Sequence, residues 1–468
     1  MSARFVWAAL SLALGGCVSV GPDYLKPAAI APVQYKEVKG WTLAAPRDDA
    51  PKGTWWRAFH DVELDRLEAT VAVSNQTLKA DEANYRQALA LISQSRAGLF
   101  PTVGFDPTLT RAGPPAGNDL SAQISGAWTL DIWGRVRRQV EQSGAAAEVS
   151  AADLANATLA AQSALALAYF KVRQADALYD LLGDTIRQYQ RSLDIAQNQY
   201  NAGTTAKSDV ITAQAQRLGA QASQINTEVA RKQNEHAIAV LMGKPPSEVS
   251  VSHRGLAESV PHPPIALPSR LLERRPDIAA AERTMKEQNA AIGVAISAYY
   301  PDISLSGAFG YRGDPFIKQL AGANPVWSYA LSIAQPLFNG GLTAAQVEAA
   351  RATYEASVAS YRQTVLVAFQ QVEDQLAAIK VYDREIKVQL EAVRIARQAV
   401  QIALNEYRAG TQTFTTVVTA QTTALQDEES LLATKAARLS AAVSLIVALG
   451  GGWDVADLPR VAQEAPTP

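Results

Sequence analysis

The chain has 468 residues, a formal net charge of −2 and a single cysteine. That balance lacks the basic surplus of a nucleic-acid binder, so no nucleic-acid partner is expected. Hydrophobic residues make up 48%, yet beyond the N-terminal segment no apolar run approaches the ~20 residues of a spanning helix, so any membrane crossing must use strands.

Arg4 precedes an apolar run over residues 5–10, and Leu14-Gly15-Gly16-Cys17 follows. A short positive segment, a short hydrophobic segment and small residues before the cut make residues 1–16 a secretory signal. The tetrad is similar to a bacterial lipobox, which marks Cys17 as the lipid-bearing first residue of the mature chain. An incidental cysteine behind a plain signal is the alternative. As the only cysteine, Cys17 also removes disulfides and Cys-rich metal sites.

Four candidate strands come next, in two pairs. After Pro101, residues Val103, Phe105 and Leu109 alternate with small or polar ones, although Pro107 weakens that strand. Its partner sets Ile124, Trp128, Leu130 and Ile132 against Gln123, Ser125, Ala127, Thr129 and Asp131. After Pro301, Ile303, Leu305, Phe309 and Tyr311 alternate with Ser304, Ser306, Ala308 and Gly310, and after Pro325, Trp327, Tyr329, Leu331 and Ile333 alternate with Ser328, Ala330, Ser332 and Ala334. One apolar, aromatic-bearing face and one small polar face over ~10 residues is the pattern of outer-membrane barrel strands. Soluble hairpins packed on a core would show the same alternation.

Each strand pair leads into a long helical pattern, and the two patterns, residues 134–244 and 341–451, are copies. Each begins at a glycine and runs 67 residues without proline to a matching tip, Tyr200-Asn201-Ala202-Gly203-Thr204 or Tyr407-Arg408-Ala409-Gly410-Thr411. The offset between the tips is 407 − 200 = 207 residues. A helix of that length spans ~100 Å. Tyr169, Val172, Ala175, Tyr179, Leu182, Ile186, Tyr189, Leu193, Ala196 and Tyr200 alternate in steps of three and four, a coiled-coil seam. The equivalents 207 residues later, from Leu376 to Tyr407, keep it apolar except at Gln389. Glycine at each tip suits a tight turn between antiparallel arms. The expected fold is mainly α with a transmembrane β part, built of long antiparallel coiled-coil hairpins. A Pro-rich stretch, 245–270, joins the repeats, 63–244 and 271–451; residues 17–62 precede them and a tail, 452–468, follows.

Four strands cannot close a barrel, because single-chain barrels start at about eight. An open edge in lipid costs several kcal/mol per unpaired backbone group, so the chain must contribute a share to an oligomer. At this point the sequence resembles the TolC-type outer-membrane efflux factors, in particular the lipoprotein (NodT-like) branch serving resistance–nodulation–division pumps. The resemblance is carried by Gly21-Pro22-Asp23-Tyr24, Trp55-Trp56, Leu271-Leu272-Glu273-Arg274-Arg275-Pro276-Asp277-Ile278, Tyr300-Pro301 and Pro336-Leu337-Phe338. It implies a homotrimer with a shared 12-stranded outer-membrane β-barrel, a trimeric α-barrel of twelve helices in the periplasm, and an equatorial collar. It also implies a passive exit duct for drugs or other small toxic compounds, anchored in outer-membrane lipid and fed by an inner-membrane pump through a periplasmic adaptor. A lipid-anchored periplasmic coiled-coil scaffold without a pore is the alternative.

No catalytic constellation emerges, so neither an enzyme nor a cofactor is expected. His60, His236, His253 and His262 lack ligand-like spacing. The tips, with Gly203, Thr204, Gly410 and Thr411, are the expected adaptor-docking end. Within the family the helix after the second tip narrows the aperture and often supplies an aspartate. This chain has Thr419 there, which leaves Phe414, Val417, Val418 and Thr419 as the expected periplasmic gate.

Overall fold

The computed structural model describes residues 19–28, 32, 34–38, 53–113, 117–257, 260–261, 274–313 and 325–453. The signal, Cys17, His262, part of the Pro-rich link and residues 454–468 of the tail lie outside these residues.

Helix α1 (Val62–Ser74) starts where the Asp61 carboxylate accepts from the backbone N–H of Glu63 and Leu64, and α2 (Gln76–Ala97) starts on the same device at Asn75. Strands β1 (Thr102–Ala112) and β2 (Gly117–Thr129) follow, then α3 (Arg135–Asn201) and α4 (Lys207–Leu241). The second half repeats the plan with α5 (Pro276–Ser297), β3 (Asp302–Gly313), β4 (Pro325–Ala334), α6 (Leu342–Arg408) and α7 (Phe414–Ala448). Pro276 takes the first helical position of α5, where a missing N–H costs nothing, and Asp277 meets the positive end of the dipole.

The long arms α3 and α6 have 67 residues each and the return arms α4 and α7 have 35 each. In the lower tube the helices lie side by side in the order α4–α3–α7–α6. Above the return arms, α2 and α5, of 22 residues each, take their places, giving α2–α3–α5–α6. At both tips glycine has left-handed backbone, φ 74° at Gly203 and 72° at Gly410, and the next residue's N–H reaches back to Gln199 O or Glu406 O. This satisfies helix-end carbonyls as a Schellman turn does.

The main core sits at mid-length, where Trp55, Trp56 and Phe59 pack in one cluster with Phe170, Leu165 and Tyr169. By length and composition α7 could cross a bilayer, which departs from the expectation that no run would do so. Half of that segment is buried in the protomer against its neighbours, as a tube helix requires.

The strands form one antiparallel sheet in the order β1-β2-β3-β4. Pro107 does not break β1, which stays in register through Pro107↔Ala122. Within the protomer β1 is an edge strand, so Pro107 interrupts no ladder to a second neighbour there. β2 ends at Thr129 rather than running on to Ile132. The Asp131 carboxylate instead accepts from Val136 N at 2.8 Å and Arg137 N at 3.1 Å, so this stretch already caps α3.

Candidate functional site: one share of a channel wall

The sheet register sorts every strand residue onto one of two faces. Phe105, Ile124, Phe309 and Trp327 form one row across the four strands, and Trp128, Leu305 and Leu331 form another on the same face. These apolar side chains stand exposed, Trp327 at 69%, except Trp128, which is half-buried. The opposite face carries Asp106, Gln123, Ser125, Ser304, Ser306, Ser328 and Ser332, and Ser125 Oγ donates to Asp106 at 2.8 Å. Period two thus gives the sheet one apolar and one polar face, the arrangement a barrel wall between lipid and water requires.

The strand–helix junctions carry an exposed aromatic belt of Phe100, Tyr299, Tyr300 and Phe338. Trp133 stacks on Tyr300 at 4.9 Å and donates Nε1–H to Pro301 O at 2.8 Å. Tyr and Trp, with their amphipathic rings, are the residue types enriched at a membrane interface.

Both layers end in unpaired edges. In the sheet these are β1 and β4; in the lower tube they are α4 and α6. Helix α4 exposes Ile211, Leu218 and Ile225, seven residues apart, and α6 exposes Val388, Ile395 and Ile402 with the same step. Counted from the tips, the first set lies 7, 14 and 21 residues beyond Thr204 and the second 9, 16 and 23 before Thr411. The two stripes therefore stand at heights that differ by ~3 Å on opposite edges of one wall.

At the tips, Thr204 and Thr411 are exposed, and each hydroxyl donates to a helix-end carbonyl, Gln199 O at 2.9 Å and Glu406 O at 3.0 Å. Phe414 and Val417 do not face outward. They are buried with Ala196, Ala213 and Tyr407, the Phe414 ring lies edge-on to Tyr407 at 5.1 Å, and Tyr407 Oη donates to Asp209 at 3.1 Å. Val418 is half-buried and Thr419 exposed. Thr419 and Thr422 spend their hydroxyls on Thr415 O and Val418 O, so that face of α7 carries no charge. Farther up, Glu428 pairs with Arg397 and burial raises the pKa of the Glu429 carboxyl.

Sequence reasoning missed a buried network at mid-length. Arg173 donates to Glu63 at 2.6 Å and to the Tyr169 hydroxyl at 2.8 Å, while Arg231 and the backbone N–H of Arg254 both reach Asp176. It fastens the link between the repeats to α3 and α4. His253 contacts Asp176 and Asp180. No group of metal-ligating side chains occurs among the described residues.

The family model for outer membrane efflux protein matches residues 69–244 and 267–451. The chain is 29% identical over 453 residues to a toluene efflux pump outer membrane protein, TtgC of Pseudomonas putida, covering 94% of this chain and 93% of that one. It is 29% identical over 464 residues to the pyoverdine export outer membrane protein OpmQ of Pseudomonas aeruginosa, covering 94% and 95%. Its fold superposes on the outer-membrane channel OprN with a TM-score of 0.86 at 29% identity, over 93% of this chain and 99% of that one. The Campylobacter jejuni CmeC outer membrane channel shares the fold, with a TM-score of 0.85 at 20% identity over 94% and 96%. The chain belongs to the outer membrane efflux protein family, and it is a channel subunit of an efflux system, not an enzyme.

Proposed function

We propose that three copies of this chain close into one tube that spans the outer membrane and the periplasm, a passive exit duct for small toxic compounds. The observation that carries this reading is the pair of open edges in both layers. β1 and α4 belong to the first repeat and β4 and α6 to the second. Joining the second-repeat edge of one copy to the first-repeat edge of the next is a head-to-tail contact, which forms a ring when the rotation closes. The count of three comes from the resemblance to trimeric efflux factors and yields twelve strands. Hydrophobic stripes at matching heights on α4 and α6 support the same seam in the helical wall.

In this reading Cys17 carries the acyl chains that hold the mature N-terminus in the outer membrane. The tips at Gly203, Thr204, Gly410 and Thr411 dock a periplasmic adaptor, through which a resistance–nodulation–division pump in the inner membrane delivers cargo. Phe414, Val417 and Val418 hold the periplasmic mouth by packing, and Thr419 leaves it without an acidic ring. The test is conductance of the purified protein in a planar bilayer. Discrete channel openings are expected, and a folded, inserted protein that never conducts, even with its tips loosened by Phe414→Ala, would favour a scaffold without a pore.

A further inference from the structure

The motif Gly21-Pro22-Asp23-Tyr24 has no part in the wall, yet the chain builds a slot for it. Arg138, its side chain only 5% exposed, lies at the start of α3. Its Nε donates to Val20 O at 3.0 Å, and Nη2 donates to Gly21 O at 3.3 Å and to the Asp23 carboxylate at 3.0 Å. From α5, in the other repeat, Asn289 Nδ2 donates to Pro22 O at 2.9 Å, and the Tyr24 hydroxyl donates to Glu282 at 2.6 Å.

The slot is cut to backbone thickness. A Cβ on Gly21, whose φ is 96°, would meet Gly293 Cα at 2.5 Å, and one on Gly293 would meet Arg138 Cγ at 2.8 Å. At its upper end Ser19 lies so close to Gly134 that a Cβ there would meet Ser19 Cα at 2.8 Å, and Val20 N donates to Trp133 O at 3.0 Å. Trp133 stacks on Tyr300 of the aromatic belt, which puts this end of the segment at the strand–helix junction.

We infer that residues 19–24 form a strap, gripped by Arg138 in a slot between α3 and α5, that fixes the lipid-bearing end of the mature chain at the barrel's periplasmic rim. This rests on the reading that Cys17 is acylated. Cys17 is two residues from Ser19, so the covalent chain holds their Cα atoms within ~7 Å. The acyl chains then enter the leaflet beside the barrel wall instead of roaming on a tether. Arg138 is a positioning residue, and the strap also ties the first repeat to the second beneath the barrel.

The test uses full-length, membrane-extracted protein carrying Pro22→Cys and Asn289→Cys. The pair should oxidise to an intramolecular disulfide in the parent background, and its yield should fall about tenfold when Arg138→Ala is added. Gly21→Val is the second variant. It alters only the strap, leaves the helices untouched, and should raise the rate of chymotryptic cleavage after Tyr24 by about tenfold. Disulfide yield and Tyr24 cleavage both unchanged in these variants would overturn the strap. Intact mass reports acylation separately: a mature chain without lipid on Cys17 refutes the anchor reading and leaves strap docking to be judged by the disulfide alone.

Discussion

Phe309 lies near the middle of β3, paired with Ile124 on one side and Trp327 on the other, all on the apolar face. Replacing it with arginine sets a charge in the hydrocarbon region. For a lipid-facing site near the midplane this costs ~2–4 kcal/mol per chain, roughly 30- to 700-fold in the balance between inserted and uninserted protein. The next residue, Ala308, pairs with Ser125 and Ser328 on the opposite face, so Ala308→Arg should insert almost normally. Leu331, two rows nearer the junction on the apolar face, offers a graded control. Leu331→Arg should cost less than Phe309→Arg, because the penalty declines toward the interface, while its neighbour Ser332→Arg should be tolerated. The assay is the fraction of protein in outer-membrane extracts that migrates as heat-modifiable folded species. If Phe309→Arg and Ala308→Arg inserted equally well, the sheet would not be facing lipid on one side and water on the other.

Other expectations follow from the tips and the mid-length core. Thr204→Trp and Thr411→Trp should leave the tube assembled while blocking adaptor cross-linking; because each also removes a hydroxyl bond to Gln199 O or Glu406 O, the matching Thr→Val variants measure that loss alone. Phe414→Ala empties a buried site worth ~3–5 kcal/mol of packing and should loosen the mouth and raise conductance; unchanged conductance would move the constriction to Asp427, Glu428 and Glu429. Glu68 is fully buried with neither carboxylate oxygen hydrogen-bonded, and burial pushes its pKa up to about 9 from 4.5. Since the folded value is raised, the stability it contributes is present below pH ~4.5 and is lost as pH rises toward 9. Glu68→Leu should therefore raise the unfolding temperature by a margin that widens from pH 5 to pH 9, and a margin independent of pH would contradict a buried neutral carboxyl.

Much of this architecture could be read in the sequence because it is periodic. The offset of 207 residues carries α3 onto α6 and α4 onto α7 at both ends, and strict alternation sorted the strand faces. What the sequence concealed depends on contacts between distant residues. Tyr200 and Tyr407 are equivalent in the repeat, yet Tyr200 is 40% exposed and Tyr407 only 3%. Tyr407 meets the ring of Phe414, and the residue 207 positions before Phe414 is Lys207, which offers no ring. Arg138 reads as one more surface arginine on a long helix, because its partners Val20 and Asp23 lie more than 110 residues away. Glu68 could have been flagged. It falls on the same helical face as Leu64, Leu67 and Val71, all buried.

The central claim is that one chain is a third of a closed wall whose seam joins α4 of one copy to α6 of the next. Leu218 and Ile395 stand on opposite edges of the protomer, at nearly the same height above the tips. A disulfide between Leu218→Cys and Ile395→Cys must therefore link two copies. Oxidation of the double variant in membranes should yield covalent dimers and trimers and stop there, with each single variant giving none. Monomers alone, or a ladder extending beyond the trimer, would contradict the account.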